Sequence, residues 1–252
     1  MDHDGAQAVN RPPRFILDAS PSADGVATVS GGEMRHMRDV MRLGAGSEVA
    51  VLGPDGAEYA ARVIEFAAGK AALRILSEHP RKASRVLILA PAIIKGPRMD
   101  FMVEKAAELG AAEFWPVMCA RGVVRAPGRE RLERWRRLAA AATKQSLAPR
   151  QMEVREPLCF TDLVAAVPRD TLPVLCTPEG EPLAAIVRRS KPGAVMLAVG
   201  PEGDFDPAEM KLAREAGFVA ARMGETRLRS ETAALGALAI VAGALDELRE
   251  GD

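Results

Sequence analysis

Cysteine and histidine are scarce in this chain of 252 residues, which contains three of each. Cys119, Cys159 and Cys176 are odd in number and widely spaced, which argues against a disulfide framework and favours a reducing compartment. The histidines form no ligand spacing with the cysteines, so we expect no bound metal. The composition therefore argues against both disulfide-stapled domains and zinc modules.

Long apolar segments are also missing. The longest uncharged apolar run, Ala233–Leu245, has 13 residues, whereas about 20 are needed to cross a bilayer as a helix. The N-terminal segment MDHDGAQAVNRPPR is polar and lacks the apolar core of a signal peptide. We therefore expect residues 1–13 to form a disordered tail on a cytoplasmic protein with no membrane partner.

Most catalytic signatures that a single sequence can reveal are absent. The chain contains no G-x-S-x-G, H-E-x-x-H or C-x-x-C motif. The phosphate-binding patterns G-x-G-x-x-G and G-x-x-x-x-G-K-[ST] are missing too. Any chemistry must therefore depend on Arg, Glu, Ser and Thr side chains together with a cofactor.

Charge is balanced overall, with 34 basic and 34 acidic residues, but not locally. Ten Arg or Lys residues stand against three Glu between Arg121 and Arg155, and five basic residues without an acidic one lie between Arg81 and Arg98. Such clusters suit a polyanionic partner. Charge alone favours the alternative of a solvated helix face, since Arg129–Arg137 has a helical pattern.

Residues 14–80 are typical of a small β-barrel, because short strands follow one another through glycine-containing turns. The predicted strands are 14–18, 26–29, 48–52, 59–66 and 71–76, with a helix near 33–43.

Beyond residue 80, strands alternate with helices, which predicts an α/β domain with a mostly parallel sheet over residues 81–252. The predicted strands are 85–90, 114–118, 172–176, 195–199 and 219–223, and the clearest helices are 99–109 and 130–147, the second ended by Pro149. We place the domain boundary near residue 80.

Three glycine- or proline-rich loops follow consecutive strands of this domain: 177–180, 200–203 and 224–230. After the second loop, Asp206, Pro207 and Glu209 have the spacing of a helix N-terminus with a capping box. Ligands of open parallel sheets bind beyond the carboxyl ends of strands. The three loops together indicate one binding site, although each alone could be an ordinary turn.

Two segments carry a family resemblance: VGPEGDFDPAEMKLAREAGF at 199–218 and MGETRLRSETAALGAL at 223–238. Their Gly-Pro-Glu-Gly and Leu-Arg-Ser-Glu-Thr-Ala motifs, in this order and spacing, resemble the ribosomal RNA small subunit methyltransferase E family. RFILD and HMRDVMRLGAGSEVAVLGPDGAEYAARV look like its N-terminal RNA-binding barrel. IIKGPRMDFMVEKAAELGAAEFWPV and RWRRLAAAATKQS look like its catalytic domain, so the resemblance covers nearly the whole chain.

The resemblance implies a knotted SPOUT-type methyltransferase domain behind a PUA-like barrel, although base rates argue against threaded chains. It also implies that the protein methylates N3 of a uridine in the decoding region of 16S rRNA, using S-adenosylmethionine. By analogy the loops hold this cofactor mainly through backbone groups. The implied cofactor-binding residues are Thr177, Pro178, Gly200, Pro201, Glu202, Gly203, Met223, Gly224, Leu228 and Arg229.

The sequence departs from the family pattern at several positions. Asp204 stands where a second glycine is usual, and Ser230 replaces Thr while keeping the hydroxyl of an expected helix cap. Cys119-Ala120-Arg121 replaces Ser-Glu-Arg, so only Arg121 carries over. Lys144-Gln145-Ser146-Leu147-Ala148 replaces Glu-Gln-Ser/Cys-Gly-Arg, so only Gln145 is kept as a base contact from that loop.

Arg229 is the candidate catalytic residue, because a guanidinium beside a carbonyl of the base would stabilise the uridine anion. The alternative is a salt bridge from Arg229 to Glu225 or Glu231. The expected RNA contacts are Arg14, Arg121, Gln145, Arg134, Arg136 and Arg137.

The apolar stretch Ala233–Leu245 predicts a homodimer, with packing inside the monomer as the alternative. The expected partner is 16S rRNA in the small ribosomal subunit. Three other functions stay open: a knotted methyltransferase for tRNA or another rRNA position, a non-catalytic RNA-binding protein and a conventional nucleotide-binding enzyme.

Overall fold

The computed structural model of this chain describes residues 12–54, 56–79, 86–122, 127–146, 148 and 150–250. Most of the expected tail (residues 1–11), the expected boundary at residue 80 and Pro149 lie outside these described residues. The chain divides into two compact units, Met1–Lys82 and Ala83–Asp252.

The first unit is a five-stranded sheet with one helical segment. Its strands are β1 (Arg14–Ile16), β2 (Val26–Ser30), β3 (Glu48–Leu52), β4 (Glu58–Ala67) and β5 (Lys70–His79), in the order β1-β3-β4-β5-β2. Only β1 and β3 are parallel; the other pairs are antiparallel. Alternate strand residues such as Val49, Val51, Ala61 and Val63 face a buried core, as expected for a sheet with one solvated face.

The predicted helix at 33–43 begins earlier and is less regular than expected. It consists of α1 (Gly31–Arg35) followed by a π-helical turn, His36–Val40. Met34 and Met37 anchor this segment in the core of the unit. Arg42 then has a left-handed backbone, with φ of 52°, which ends the segment.

The second unit contains a six-stranded sheet in the order β13-β11-β12-β6-β7-β9, with every neighbouring pair parallel. A separate short parallel pair joins β10 to β8. The strands are β6 (Val86–Pro91), β7 (Glu113–Phe114), β8 (Val117–Met118), β9 (Glu153–Val154), β10 (Leu158–Cys159), β11 (Thr171–Pro182), β12 (Ala194–Val199) and β13 (Val219–Arg222).

Helices cover both faces of this sheet, which explains why its central strands are almost continuously apolar. The helices are α2 (Pro97–Glu108), α3 (Arg129–Gln145), α4 (Phe160–Ala165), α5 (Leu183–Ser190), α6 (Pro207–Glu215) and α7 (Ser230–Glu250). One core lies beneath α2, α3, α5 and α7, and a second lies beneath α4 and α6. The expected α/β domain with a mostly parallel sheet is thus confirmed.

Two strand predictions in this unit were wrong in detail. The predicted strand at 114–118 is divided between β7 and β8, because Pro116 has no N–H to donate to a continuous ladder. The predicted strand at 172–176 continues to Pro182 after an irregularity.

Candidate functional site

The three predicted loops meet at one open pocket, beside Cys176 within β11 and at the carboxyl ends of β12 and β13. Parallel neighbours place these ends at the same edge of the sheet. The pocket is lined by Cys176, Thr177, Pro178, Val199, Gly200, Pro201, Glu202, Asp204, Arg222, Met223, Gly224, Thr226, Arg227, Leu228, Ser230 and Ala233.

The first loop is a bulge inside β11. Cys176 and Glu181 both pair with Ala221 of β13, so residues 177–180 project from the ladder toward the pocket. Gly180 has φ of 134°, and a Cβ there would lie 2.5 Å from the carbonyl oxygen of Ala220. Glycine is therefore required for the close approach of the two backbones that forms this side of the pocket.

The second loop, 200–203, is closed by a tight turn. The amide of Asp204 donates to the carbonyl of Pro201 at 2.9 Å, and Asp204 itself has φ of 64°. Glycine adopts this left-handed backbone freely, so glycine would also fit the turn. Asp204 stabilises the same conformation through its Oδ1, which accepts from the amide of Phe205 at 2.8 Å.

The predicted capping box after this loop is confirmed. The Asp206 carboxylate accepts from the amide of Ala208 at 2.9 Å, and the Glu209 carboxylate accepts from the amide of Asp206 at 2.9 Å. The second carboxylate oxygen of Glu209 accepts from the amide of Ala120 at 2.7 Å. The helix start thus also fixes a neighbouring loop.

Arg121 of that neighbouring loop reaches the second loop directly. Its guanidinium donates to the carbonyl of Gly203 at 3.1 Å and lies 3.6 Å from the carboxylate of Asp206. The structure therefore places Arg121 against the second loop on the side away from the pocket lining, and 46% of its side chain remains exposed.

The expected cap at Ser230 was wrong by one position. The carbonyl of Arg229 accepts the first helical bond, from the amide of Ala233 at 2.8 Å, so Arg229 occupies the cap and Ser230 is the first residue of α7. The buried Ser230 hydroxyl instead donates to the carbonyl of Gly200 at 2.7 Å. This bond joins the third loop to the second.

Arg229 is exposed, and among the described residues it makes no ion pair, so the alternative of a salt bridge to Glu225 or Glu231 is not observed. Two expected cofactor residues, Gly203 and Arg229, are outside the lining set, whereas the other eight belong to it. Gly203 lies behind the loop, against Arg121.

Arg98, in the first turn of α2, is a residue near the site that the sequence patterns did not indicate. Its guanidinium lies 2.9 Å from the carboxylate of Glu202 and 3.7 Å from that of Glu231. No local motif marks Arg98, because its partners are distant in sequence. Several further lining residues could have been taken from the loops and strand ends already recognised: Cys176, Val199, Asp204, Arg222, Thr226 and Arg227.

The other expected RNA contacts do not line the pocket. Gln145 is exposed at the end of α3, in a surface depression that shares no lining residue with the pocket. Arg14 belongs to the first unit, where its side chain is 5% exposed and lies 3.7 Å from Glu58.

The three expected contacts on α3 differ in availability. Arg134 lies 2.9 Å from Asp100. Arg136 lies 3.0 Å from Glu133 and 2.9 Å from Glu156. Arg137 is exposed, and within the described part of the chain it makes no ion pair.

Burial raises the pKa of two cysteine thiols. The pKa of Cys119 rises to about 12 through burial and the nearby Glu209 carboxylate, and that of Cys176 rises to about 12 through burial. Both thiols stay protonated near neutral pH, so neither is a poised nucleophile. Among the described residues no cluster of metal-ligating side chains occurs, and no helix is long and apolar enough to cross a membrane.

Residues 81–242 match the family model of the RNA methyltransferase domain. Ribosomal RNA small subunit methyltransferase E of Synechocystis is 30% identical over 237 residues, 92% of this chain and 78% of that protein. Its namesake in Mycobacterium bovis is 32% identical over 237 residues, 90% of each chain.

Two solved structures resemble the whole chain. Ribosomal RNA small subunit methyltransferase E from Neisseria gonorrhoeae, bound to S-adenosylmethionine, has a TM-score of 0.79 at 29% identity, covering 94% of this chain and 98% of that one. A putative methyltransferase from Legionella pneumophila, also with bound S-adenosylmethionine, has a TM-score of 0.76 at 26% identity, covering 93% and 98%. The chain thus has the α/β methyltransferase fold and belongs to the ribosomal RNA small subunit methyltransferase E family of RNA methyltransferases.

Proposed function

We propose that this protein transfers a methyl group from S-adenosylmethionine to N3 of a uridine in the decoding region of 16S rRNA. The observation that carries the proposal is the convergence of three loops on one pocket. Two structural relatives hold S-adenosylmethionine, and the sequence relatives are named for methylation of small-subunit ribosomal RNA.

The residues of the pocket fit this cofactor. The pocket lies beyond the ends of parallel strands, where open α/β sheets bind their ligands. Val199, Leu228 and Ala233 offer apolar surface for an adenine ring, while Gly200 and Gly224 let a ligand approach the backbone. When bound, the cofactor supplies an electrophilic methyl group. The residues that would hold it are the eight expected ones that line the pocket: Thr177, Pro178, Gly200, Pro201, Glu202, Met223, Gly224 and Leu228. Gly203 and Arg229 lie outside the lining, so they would not hold the cofactor directly.

Arg229 would act on the substrate. N3 of uridine carries a proton at neutral pH, and making it two pKa units more acidic requires about 2.7 kcal/mol. A positioned guanidinium can supply energy of that order. Arg229 is exposed and has no ion pair among the described residues, so its charge is available to a base brought to the pocket. Water is the candidate proton acceptor.

RNA would approach from the basic side of the second unit. Arg121 lies against the second loop at Gly203 and is half exposed, so it could contact nucleotides next to the target. Arg134, Arg136 and Arg137 on α3 would contact phosphates farther away, and Gln145 at the end of α3 would contact a base. The side chain of Arg14 in the first unit is only 5% exposed, so it offers little surface to RNA. Arg137 is the strongest of these α3 candidates, because Arg134 and Arg136 already pair with carboxylates.

The proposal includes a knot in the second unit and a PUA-like barrel in the first. After the edge strand β13, α7 returns to pack against β12 and β6 in the middle of the sheet, and the knot would form where this last segment passes the second loop. In the first unit, the amide of Asp18 donates to the carbonyl of Thr28 at 3.0 Å, linking the ends of the sheet as a barrel would.

We also propose a homodimer. The residues of α7 that face inward, such as Ala237, Leu238 and Val241, pack in the core of their own unit, so the apolar stretch is partly explained by the monomer. The opposite side of α7 carries small, uncharged residues, because Ala239 and Gly243 are exposed there and Ile240 is half-buried. This side is the proposed dimer surface. Light scattering at micromolar concentration should give twice the mass of the chain; a monomer would contradict the dimer.

The decisive experiment combines calorimetry with mapping of the methylated nucleotide. The protein should bind S-adenosylmethionine and restore one N3-methyluridine to 16S rRNA, as free RNA or within the small subunit, in a strain lacking the gene. If the protein does not bind the cofactor, the result would favour the two alternatives of a non-catalytic RNA-binding protein and a conventional nucleotide-binding enzyme. Methylation of tRNA or of another rRNA position would support the rival knotted methyltransferase. Ribosomal RNA as substrate implies a cytoplasmic protein.

A further inference from the structure

Glu202 is the only lining residue of the pocket that pairs with an arginine outside the lining, within the described residues. The Arg98 guanidinium lies 2.9 Å from the Glu202 carboxylate, and the two side chains are 41% and 44% exposed. The same guanidinium lies 3.7 Å from Glu231 in the first turn of α7. Arg98 therefore connects α2, the second loop and α7 without lining the pocket itself.

The position of Arg98 is electrostatically unusual. It is the second residue of α2, where the helix dipole disfavours a positive charge. Two carboxylates from other elements offset this cost. An exposed ion pair adds little to folding stability, about 0–1 kcal/mol. Stability alone therefore gives little reason for placing a cation at this helix start.

We infer that Arg98 offsets the preference that the Glu202 carboxylate gives the pocket for a positively charged occupant over a neutral one. The inference rests on the proposed function. S-adenosylmethionine carries a positive sulfonium, whereas the product S-adenosylhomocysteine does not, and their other charged groups are the same. The Glu202 carboxylate favours the sulfonium, and Arg98 reduces that preference, so the pair keeps the charged substrate from being bound much more tightly than the neutral product.

The charges of the side chains that line the pocket are balanced when Glu202 is counted. Asp204 contributes one negative charge, and Arg222 and Arg227 contribute two positive charges, with Glu202 completing an equal count. The Arg222 guanidinium is held at the carbonyl of Gly180, at 3.0 Å. Arg98 lies 2.9 Å from Glu202 and 3.7 Å from Glu231, so the carboxylate that it offsets most strongly is the one on the pocket wall.

Five proteins test this inference: the wild type, Arg98→Gln, Glu202→Gln, the double variant and the charge-conserving Arg98→Lys. The Kd of each would be measured by calorimetry for S-adenosylmethionine and S-adenosylhomocysteine at low salt. The ratio of the two Kd values is the readout. Loosening of the loop would weaken the binding of both ligands by the same factor, so it would not change this ratio. One unit charge at a half-solvated site changes such a ratio by roughly fivefold.

Arg98→Gln should strengthen the binding of S-adenosylmethionine relative to S-adenosylhomocysteine by roughly fivefold. Glu202→Gln should change this relative affinity by a similar factor in the opposite direction. The double variant should return to within about twofold of the wild type, and Arg98→Lys, which keeps the charge, should match the wild type. The shifts should shrink as salt is raised.

Unchanged ratios, or shifts of the same sign in both single variants, would overturn the inference even if every protein binds the cofactor. If Arg98 had only a structural role, Arg98→Gln would weaken the binding of both ligands by the same factor. If the wild type binds neither ligand, it is the proposed function that fails, so the two failures are distinguishable.

Discussion

The hydroxyl of Ser230 donates to the carbonyl oxygen of Gly200 at 2.7 Å, across 30 residues of sequence. Both residues are buried, and the bond joins the start of α7 to the end of β12. A buried carbonyl that loses its donor costs about 1–3 kcal/mol. This single contact therefore couples the stability of the last helix to the shape of the second loop.

Ser230→Ala should lower the free energy of unfolding by about 1–2 kcal/mol and weaken binding of S-adenosylmethionine, because Gly200 would lose its buried partner. Ser230→Thr, which keeps the hydroxyl, is the matched control and should remain near the wild type. Urea denaturation and calorimetry measure the two effects. An Ala variant as stable as the wild type would show that the bond contributes nothing net.

Asp204 should tolerate Gly or Asn but not Val. Its φ of 64° is accessible to glycine and asparagine, whereas a β-branched residue is strained there. Asp204→Val should therefore cost about 2 kcal/mol of stability and weaken cofactor binding. Asp204→Asn keeps an oxygen for the Phe205 amide and should stay within about 0.5 kcal/mol of the wild type. Equal melting temperatures for Val and Asn would contradict this account.

Arg229→Ala should bind S-adenosylmethionine nearly normally, because Arg229 is outside the lining of the pocket. Single-turnover methylation of small-subunit rRNA should fall by roughly two to three orders of magnitude, the usual cost of losing one transition-state donor. Arg229→Lys should recover only part of this loss, because an ammonium cannot reproduce the planar fork.

Arg227→Ala is a useful comparison for Arg229, because both arginines are exposed in the third loop. Arg227 lines the pocket, so we expect its removal to affect cofactor affinity more than the chemical step. Near-normal methylation by Arg229→Ala would remove this arginine from the mechanism. Lost cofactor binding with a lowered Tm would indicate a structural role instead.

The arginines of α3 should contribute unequally to RNA binding. Arg137→Gln should reduce the slope of log Kd against log salt by about one unit if Arg137 contacts a phosphate. Arg136→Gln should change the slope less and lower Tm, because Arg136 pairs with Glu133 and Glu156 and donates to the carbonyl of Val154 at 3.3 Å. An unchanged slope for Arg137→Gln would show that Arg137 contacts no phosphate and that this face of α3 faces solvent.

The buried thiols predict a loss of stability in alkaline solution. The folded pKa values of Cys119 and Cys176 are raised to about 12 from 9.0, so the unfolded chain releases these protons first. The contribution of each thiol to the free energy of unfolding is fully present below pH 9 and is lost as the pH rises toward 12. At pH 10.5 the loss is about 2 kcal/mol per thiol.

Urea denaturation at pH 8 and pH 10.5 measures this loss. Replacing both cysteines by alanine should flatten the pH dependence while leaving the contributions of Lys and Tyr in place. An identical pH dependence in the two proteins would show that the thiols do not titrate in this way.

The local structure of this protein was largely predictable from its sequence. The apolar run of β12 predicts a buried strand, and Asp206-Pro207-Ala208-Glu209 predicts a helix start, because these signals depend on neighbouring residues. The glycine- and proline-rich loops after three strands also indicated the site, since the carboxyl ends of parallel strands share one edge of the sheet.

Only the tertiary structure determined which atoms meet at that edge. The bulge at 177–180 depends on Gly180 packing against Ala220, and the role of Ser230 depends on its reaching Gly200. Arg98 lies more than a hundred residues before Glu202, so no local pattern could pair them. The sequence determined the elements and the region of the site, because propensity and capping are local, whereas long-range packing determined its contacts and its electrostatics.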